Sequence, residues 1–163
     1  MPPKSQQLQI RVTPLQKSAL RRHARAAGLD VSAYVLSRLL PPDEERFAEI
    51  LRALRVDGDA RFALAELNDF LASRVPTQFA AAVARATLGG LSPFLQNYVA
   101  AMVEQAAGQK GVAPPAWARD VPPLAEPYFA SALKSLRFHL LQVSPAPFKR
   151  RNLFIDAAVG SRV

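Results

Sequence analysis

The chain has 163 residues, 50% of them hydrophobic, so it can bury the core of one ordinary domain or of two small ones. It contains no cysteine, which excludes disulfide bonds and thiolate metal sites. The N-terminus lacks the apolar stretch of a signal peptide, and no apolar run approaches the length of a membrane span. We therefore expect a cytoplasmic protein without a membrane partner.

Basic residues concentrate at the two ends of the chain, and the formal net charge is +8. Residues 1–40 carry seven Lys/Arg against one acid, and residues 113–163 carry seven against three. Residues 41–112 carry seven against nine. This distribution suggests a polyanionic or acidic partner for the ends.

A short alternating strand is predicted over residues 7–13. Leu8, Ile10 and Val12 share one face of it, and the opposite face is wholly polar. A lone strand of this length is not stable in water, and no other segment resembles a partner strand. The economical solution is the same strand from a second copy, paired across a two-fold axis. The resulting ribbon fits the major groove of DNA, where arginine pairs with guanine and glutamine with adenine. The predicted base contacts are Gln7, Gln9 and Arg11.

Two helices are predicted after the strand. Thr13 and Gln16 form a capping box around Pro14, which starts a basic helix that ends at Gly28. Asp30 caps the second helix, whose apolar residues are mostly inward.

The predicted phosphate contacts lie around these helix starts. The free amides of Val31 and Ser32 can hold a DNA phosphate, although Asp30 would oppose it electrostatically. Lys4 and Thr13 are the other two predicted phosphate contacts.

The remaining residues predict a helical region that begins after Pro41-Pro42. Helices are expected from Asp43, from about residue 60 to Arg74, from Pro76 to Gly89, and from Ser92 to Gly108. A proline-rich ordered loop around Trp117 and one more helix over residues 129–140 follow. The segment Leu153–Ile155 is too short to assign. The domains are therefore 1–41 and 42–163, the latter either one domain or a bundle over 42–108 with a separate loop, helix and basic tail over 109–163.

The N-terminal pattern resembles a known family. Residues 8–40, LQIRVTPLQKSALRRHARAAGLDVSAYVLSRLL, resemble the ribbon-helix-helix repressors of the Arc/MetJ/CopG type, and bacterial antitoxins among them. The residues that match that pattern are Thr13, Pro14, Lys17, Gly28, Ser32, Tyr34 and Val35. Asp30 departs from it by replacing a serine, but both residue types cap helices well. The resemblance covers residues 7–40 and implies an intertwined homodimer.

The expected fold class is therefore mostly α, with an N-terminal ribbon-helix-helix module followed by a helical C-terminal domain. The expected function is a sequence-specific transcriptional repressor that binds double-stranded operator DNA, and the resemblance favours the antitoxin of a toxin–antitoxin pair. The C-terminal domain would then hold the cognate toxin or an effector. Two other functions stay open: a helical protein-interaction adaptor with basic ends, and a plasmid or chromosome partition protein. Two other structures also stay open for the N-terminus, namely an edge strand of an α+β protein and a helix-turn-helix with an N-terminal arm.

Catalysis has little support in the sequence. No phosphate-binding glycine loop, metal-ligand spacing or nucleophile motif is present, so we expect no enzyme activity, no metal and no cofactor. The cluster of Lys149, Arg150 and Arg151 is the sharpest feature of the C-terminal part. It predicts either contact with a partner protein or nucleic acid, or a solvated basic turn.

Overall fold

A computed structural model describes residues 9–39, 42–56 and 60–156. The helices are α1 (Pro14–Ala26), α2 (Val31–Leu39), α3 (Asp43–Ala53), α4 (Ala60–Ser73), α5 (Pro76–Ala82), α6 (Pro93–Gln109), α7 (Ala116–Asp120), α8 (Arg137–Val143) and α9 (Ala146–Lys149). A 3₁₀ helix spans Lys134–Leu136, and two short strands are β1 (Tyr128–Phe129) and β2 (Leu153–Phe154). The described chain is mostly helical, as predicted.

The chain divides into two compact units, Met1–Pro42 and Asp43–Val163. This division falls one residue from the boundary at 41 and 42 that the sequence predicts. Of the predicted strand and DNA-contact residues, Lys4, Gln7 and Leu8 lie outside the described residues.

The first unit is a helical hairpin formed by α1 and α2. The turn between them needs a residue in the left-handed region, and Gly28 has a φ of 67° there. The N–H of Leu29 donates to the Ala24 carbonyl oxygen (3.0 Å), and Asp30 Oδ1 accepts from the Ala33 N–H (2.9 Å). The predicted glycine cap and aspartate cap are both confirmed.

The second unit is built around α6, whose buried residues, from Asn97 to Ala107, cover more than one face of the helix. One side of α6 packs on the main core, and the other side packs on a smaller cluster. The helices α3, α4, α5 and α6 supply most of the large apolar members of the main core: Phe47, Ile50, Leu51, Leu67, Phe70, Leu71, Phe79, Val99 and Val103. Ala101, Phe148, Leu153 and Ile155 form the smaller cluster. Because α6 packs on both clusters, its buried residues are not confined to one apolar stripe.

The predicted loop around Trp117 is ordered, as expected, but it includes the short helix α7 (Ala116–Asp120), on which Trp117 lies. Its indole Nε1 donates to the Val83 carbonyl oxygen (2.8 Å), and its ring lies 6.3 Å from that of Phe47, measured between centroids. The loop is therefore fixed against the main core by one hydrogen bond and by aromatic packing.

The predicted helix over residues 129–140 is wrong in its first half. The strand β1 pairs there with β2 in parallel, with Tyr128 opposite Leu153 and Phe129 opposite Phe154. The N–H groups of Tyr128 and Ala130 donate to the carbonyl oxygens of Asn152 (2.8 Å) and Phe154 (3.0 Å). These bonds to a distant segment replace helical ones, so the helix α8 begins only at Arg137.

The predicted end of the fifth helix is also corrected. The helix stops at Ala82 and not at Gly89. The carbonyl oxygens beyond it are taken by distant side chains, since Val83 accepts from Trp117 and Thr87 accepts from Arg55 Nη2 (2.5 Å).

Candidate nucleic-acid interface

The predicted strand is described from residue 9 onward. Residues 9–13 precede α1 and are in no helix or strand of the single chain. The side chains of Ile10 and Val12 are 59% and 42% exposed, although both are strongly apolar. The pairing of this segment across a two-fold axis stays a prediction, because the structure holds one copy.

The predicted base contacts Gln9 and Arg11 are both exposed in the same segment. They alternate with Ile10 and Val12, so an extended backbone would place them on the opposite face. Their readout of bases stays a prediction.

The capping box that starts α1 is present as predicted. The N–H of Thr13 donates to Gln16 Oε1 (2.9 Å), and Thr13 Oγ1 accepts from the Gln16 N–H (3.3 Å). The backbone N–H of Thr13 is therefore used within the chain. Its exposed hydroxyl keeps a proton that it can donate to a phosphate oxygen.

The N-terminus of α2 presents the two predicted amides. Val31 and Ser32 are exposed and occupy the first turn, where N–H groups have no partner inside the helix. Asp30 Oδ1 already accepts from Ala33, which leaves the Asp30 carboxylate close to any anion bound there. A phosphate contact at this terminus stays a prediction.

The surface of α1 is strongly basic. The helix contains no acidic residue, and residues 9–39 carry six Lys/Arg against one acid. The four cations of α1 are all exposed: Lys17, Arg21, Arg22 and Arg25. Such a surface attracts the phosphate backbone without regard to sequence.

Ring contacts hold the two helices of the first unit together. The ring of Tyr34 on α2 stacks with that of His23 on α1, with centroids 6.2 Å apart and planes 10° from parallel. The guanidinium carbon of Arg38 lies over the same Tyr34 ring, 5.5 Å from its centroid. Arg38 is thus placed by a cation–π contact and remains exposed.

The described part of the first unit has almost no core of its own, since Ala24 is its single buried residue. Seven of its large apolar side chains are instead exposed: Ile10, Val12, Leu15, Leu29, Val31, Leu36 and Leu39. Helices of 13 and 9 residues are marginal in water without packing. The unit therefore needs a partner surface.

The predicted cluster at residues 149–151 is not one surface patch. Arg151 is only 5% exposed, so the prediction that it contacts nucleic acid or a partner protein is wrong. Its Nη2 donates to Glu104 Oε1 (2.8 Å) and to the Ala118 carbonyl oxygen, and its Nη1 donates to the Val121 carbonyl oxygen (3.1 Å). Lys149 Nζ donates to the Gln142 carbonyl oxygen (2.8 Å). Arg150 alone of the three has an exposed side chain.

The sequence did not predict the open cleft of the second unit that Arg119 and Arg150 line beside Glu104. Of these two arginines, only Arg150 was a predicted contact. The sequence signal for a buried cation was a pair of polar residues, Asn97 and Glu104, within a largely apolar helix. Both are buried and both contact Arg151, so they indicated a cationic partner from elsewhere.

Tyr98 is a partly buried residue of α6 whose ring lies 5.4 Å from that of Phe148, measured between centroids. Burial raises the pKa of Tyr98, with a smaller contribution from the nearby Tyr128 hydroxyl.

Within the described ranges, no three His, Asp or Glu side chains are grouped to bind a metal ion. None of the helices described there is long and apolar enough to cross a membrane.

The N-terminal part of the chain matches a model of a known protein family. Residues 2–55 match the family model of the NikA-like proteins, described as mobilization protein NikA. No curated protein and no solved structure matches the chain. The family match covers α1, α2 and α3 and supports a DNA-binding N-terminus of the ribbon-helix-helix type, without indicating an antitoxin in particular.

Proposed function

We propose that this chain is a DNA-binding protein of DNA mobilization, which recognises a site near the origin of transfer through a dimeric N-terminal ribbon. The observation that carries the proposal is the alternation at residues 9–12. Exposed apolar side chains, Ile10 and Val12, alternate there with Gln9 and Arg11. Pairing two copies buries the apolar face and presents the polar one to base edges.

The basic surface of α1 would bind DNA together with the ribbon. Its four cations and the absence of acids favour attraction to the phosphate backbone, which supplies affinity, while the ribbon supplies selectivity. The match to the NikA-like family over residues 2–55 supports mobilization as the setting. We also propose that the chain is not itself an enzyme. A DNA-binding role places it in the cytoplasm with the DNA.

Repressor and antitoxin functions would use the same N-terminal chemistry. They differ from mobilization in the DNA site that is selected and, for the antitoxin, in the need for a toxin partner. To separate them, full-length protein is mixed with fragmented DNA of the replicon that encodes it, and the bound fragments are sequenced. Enrichment beside the origin of transfer supports mobilization, whereas enrichment upstream of the protein's own gene supports a repressor. Absence of any enriched sequence contradicts all three functions.

We expect Arg11→Ala to remove sequence preference at the base pair that Arg11 reads. A paired arginine contact to guanine discriminates by about 1–3 kcal/mol, so the preference for the selected site over a shuffled duplex should fall about 5- to 150-fold. Fluorescence anisotropy on both duplexes measures this ratio.

The matched control is Arg52→Ala, which removes an exposed arginine of α3 outside the ribbon. It should leave the ratio unchanged. If Arg11→Ala weakens binding to both duplexes equally, Arg11 contacts phosphate and the proposed base readout is wrong at this residue.

A further inference from the structure

An open cleft of about 690 Å³ lies in the second unit, lined by residues of α6, α7, α9 and the loop after α6. Its volume falls within the range of about 300–1,000 Å³ that is usual for ligand sites. Its polar lining residues are Glu104, Gln105, Gln109, Arg119 and Arg150. The two arginines come from different elements, α7 and the residue that follows α9.

The acidic residue of the cleft is already neutralised. Glu104 is 8% exposed, and its Oε1 accepts from Arg151 Nη2 (2.8 Å) while its Oε2 accepts from Arg150 Nη2 (3.2 Å). Two guanidinium groups thus pair with one carboxylate, and Arg119 adds a further positive charge to the lining. The cleft is therefore positively charged.

The two arginines of the lining keep donors for a ligand. The side chain of Arg150 is 69% exposed and uses one nitrogen on Glu104, out of a guanidinium with five N–H donors. The side chain of Arg119 is exposed and makes no hydrogen bond or ion pair within residues 9–39, 42–56 and 60–156. The amide groups of Gln105 and Gln109 add neutral donors at the same cleft.

We propose that this cleft binds a phosphate group, held by Arg119 and Arg150. The planar donors of a guanidinium match the oxygens of a phosphate in pairs, which a single ammonium does not. The phosphate comes either from the DNA backbone or from a free nucleotide. The site lies outside the first unit and so goes beyond the proposed reading of DNA by the ribbon.

The DNA source is tested through the salt dependence of binding. The full-length wild type, Arg119→Gln and Arg150→Gln are titrated onto a duplex from 50 to 200 mM salt, conditions over which phosphate contacts change affinity steeply. Each lost phosphate contact should reduce the slope of log K against log salt by about 1. Arg85→Gln is the control, since Arg85 is an exposed arginine of the second unit that does not line the cleft.

The free-nucleotide source is tested through Trp117, the one tryptophan of the chain, which lies on α7 two residues before Arg119. Adenosine monophosphate and inorganic phosphate are added to the full-length protein, and tryptophan fluorescence is recorded. Saturable binding that both arginine variants weaken at least about 10-fold, but Arg85→Gln does not, supports a free nucleotide.

A reduced salt slope in both cleft variants supports a DNA phosphate. Slopes equal to wild type, together with no saturable fluorescence change, overturn the proposal. The preference of wild type for its selected duplex is measured in the same series and reports on the ribbon alone. The salt slopes and the fluorescence therefore test phosphate binding by the cleft, and the duplex preference separately tests the proposed function.

Discussion

Val12→Asp is expected to abolish the dimer and unfold the first unit. Pairing of two copies would bury Val12, and an unpaired carboxylate placed there costs several kcal/mol. A loss of about 3 kcal/mol raises the dimer Kd about 100-fold or more. Because the described part of the unit buries only Ala24 by itself, α1 and α2 should melt when the dimer separates. Sedimentation equilibrium and far-ultraviolet circular dichroism measure the two effects.

Gln9→Asp is the matched control, because it adds the same charge to the opposite face of the segment. It should leave the dimer and the helix content near wild type and weaken DNA binding alone. A Val12→Asp variant that dimerises like wild type would contradict the pairing of residues 7–13 across a two-fold axis.

Arg151→Met is expected to lower the free energy of unfolding of the second unit by about 3–5 kcal/mol, as when one partner of a buried ion pair is removed. The variant leaves Glu104 buried and removes the donors to Ala118 and Val121. Denaturant unfolding followed by Trp117 fluorescence measures the effect, since Trp117 lies in this unit.

Arg150→Met is the matched control for this prediction. It removes the other partner of Glu104, but its side chain is 69% exposed, so the cost should stay below about 1 kcal/mol. The double variant Glu104→Met with Arg151→Met should recover much of the loss, because no buried charge then remains unpaired. Equal costs for Arg150→Met and Arg151→Met would contradict the structural role of Arg151.

The sequence predicted best the features that depend on neighbouring residues. The capping box at Thr13, the left-handed Gly28 and the cap at Asp30 each involve a few consecutive residues, and all are found. The cap of α6 by Ser92 is equally local: its hydroxyl accepts from the Leu95 N–H (3.3 Å). Residue types at fixed offsets determine such motifs, so they can be read without knowledge of the fold.

Features made by distant residues could not be read in this way. The pairing of β1 with β2 joins Tyr128 to Leu153, and the apolar spacing over residues 129–140 fits a helix as well as it fits the observed strand, turn and short helix. The burial of Arg151 depends likewise on Glu104, 47 residues away. Local charge therefore predicted a basic surface where the fold places an interior ion pair.

The candidate sites also combine features that neighbouring residues determine with features that distant residues determine. Its residue types and their alternation along 9–12 follow from the sequence, whereas Arg119 joins Arg150 at the cleft only through packing of α7 and α9 on α6.

The central claim is that the N-terminal ribbon reads DNA sequence, and fluorescence anisotropy across a salt series tests it most directly. The full-length wild type is compared with the triple variant Gln7→Ala, Gln9→Ala, Arg11→Ala on the selected duplex and on a shuffled one. We expect the wild type to prefer the selected duplex at every salt concentration and the triple variant to bind both alike, with its helix content retained. Equal binding of both duplexes by the wild type, or a preference that the triple variant keeps, would contradict the claim.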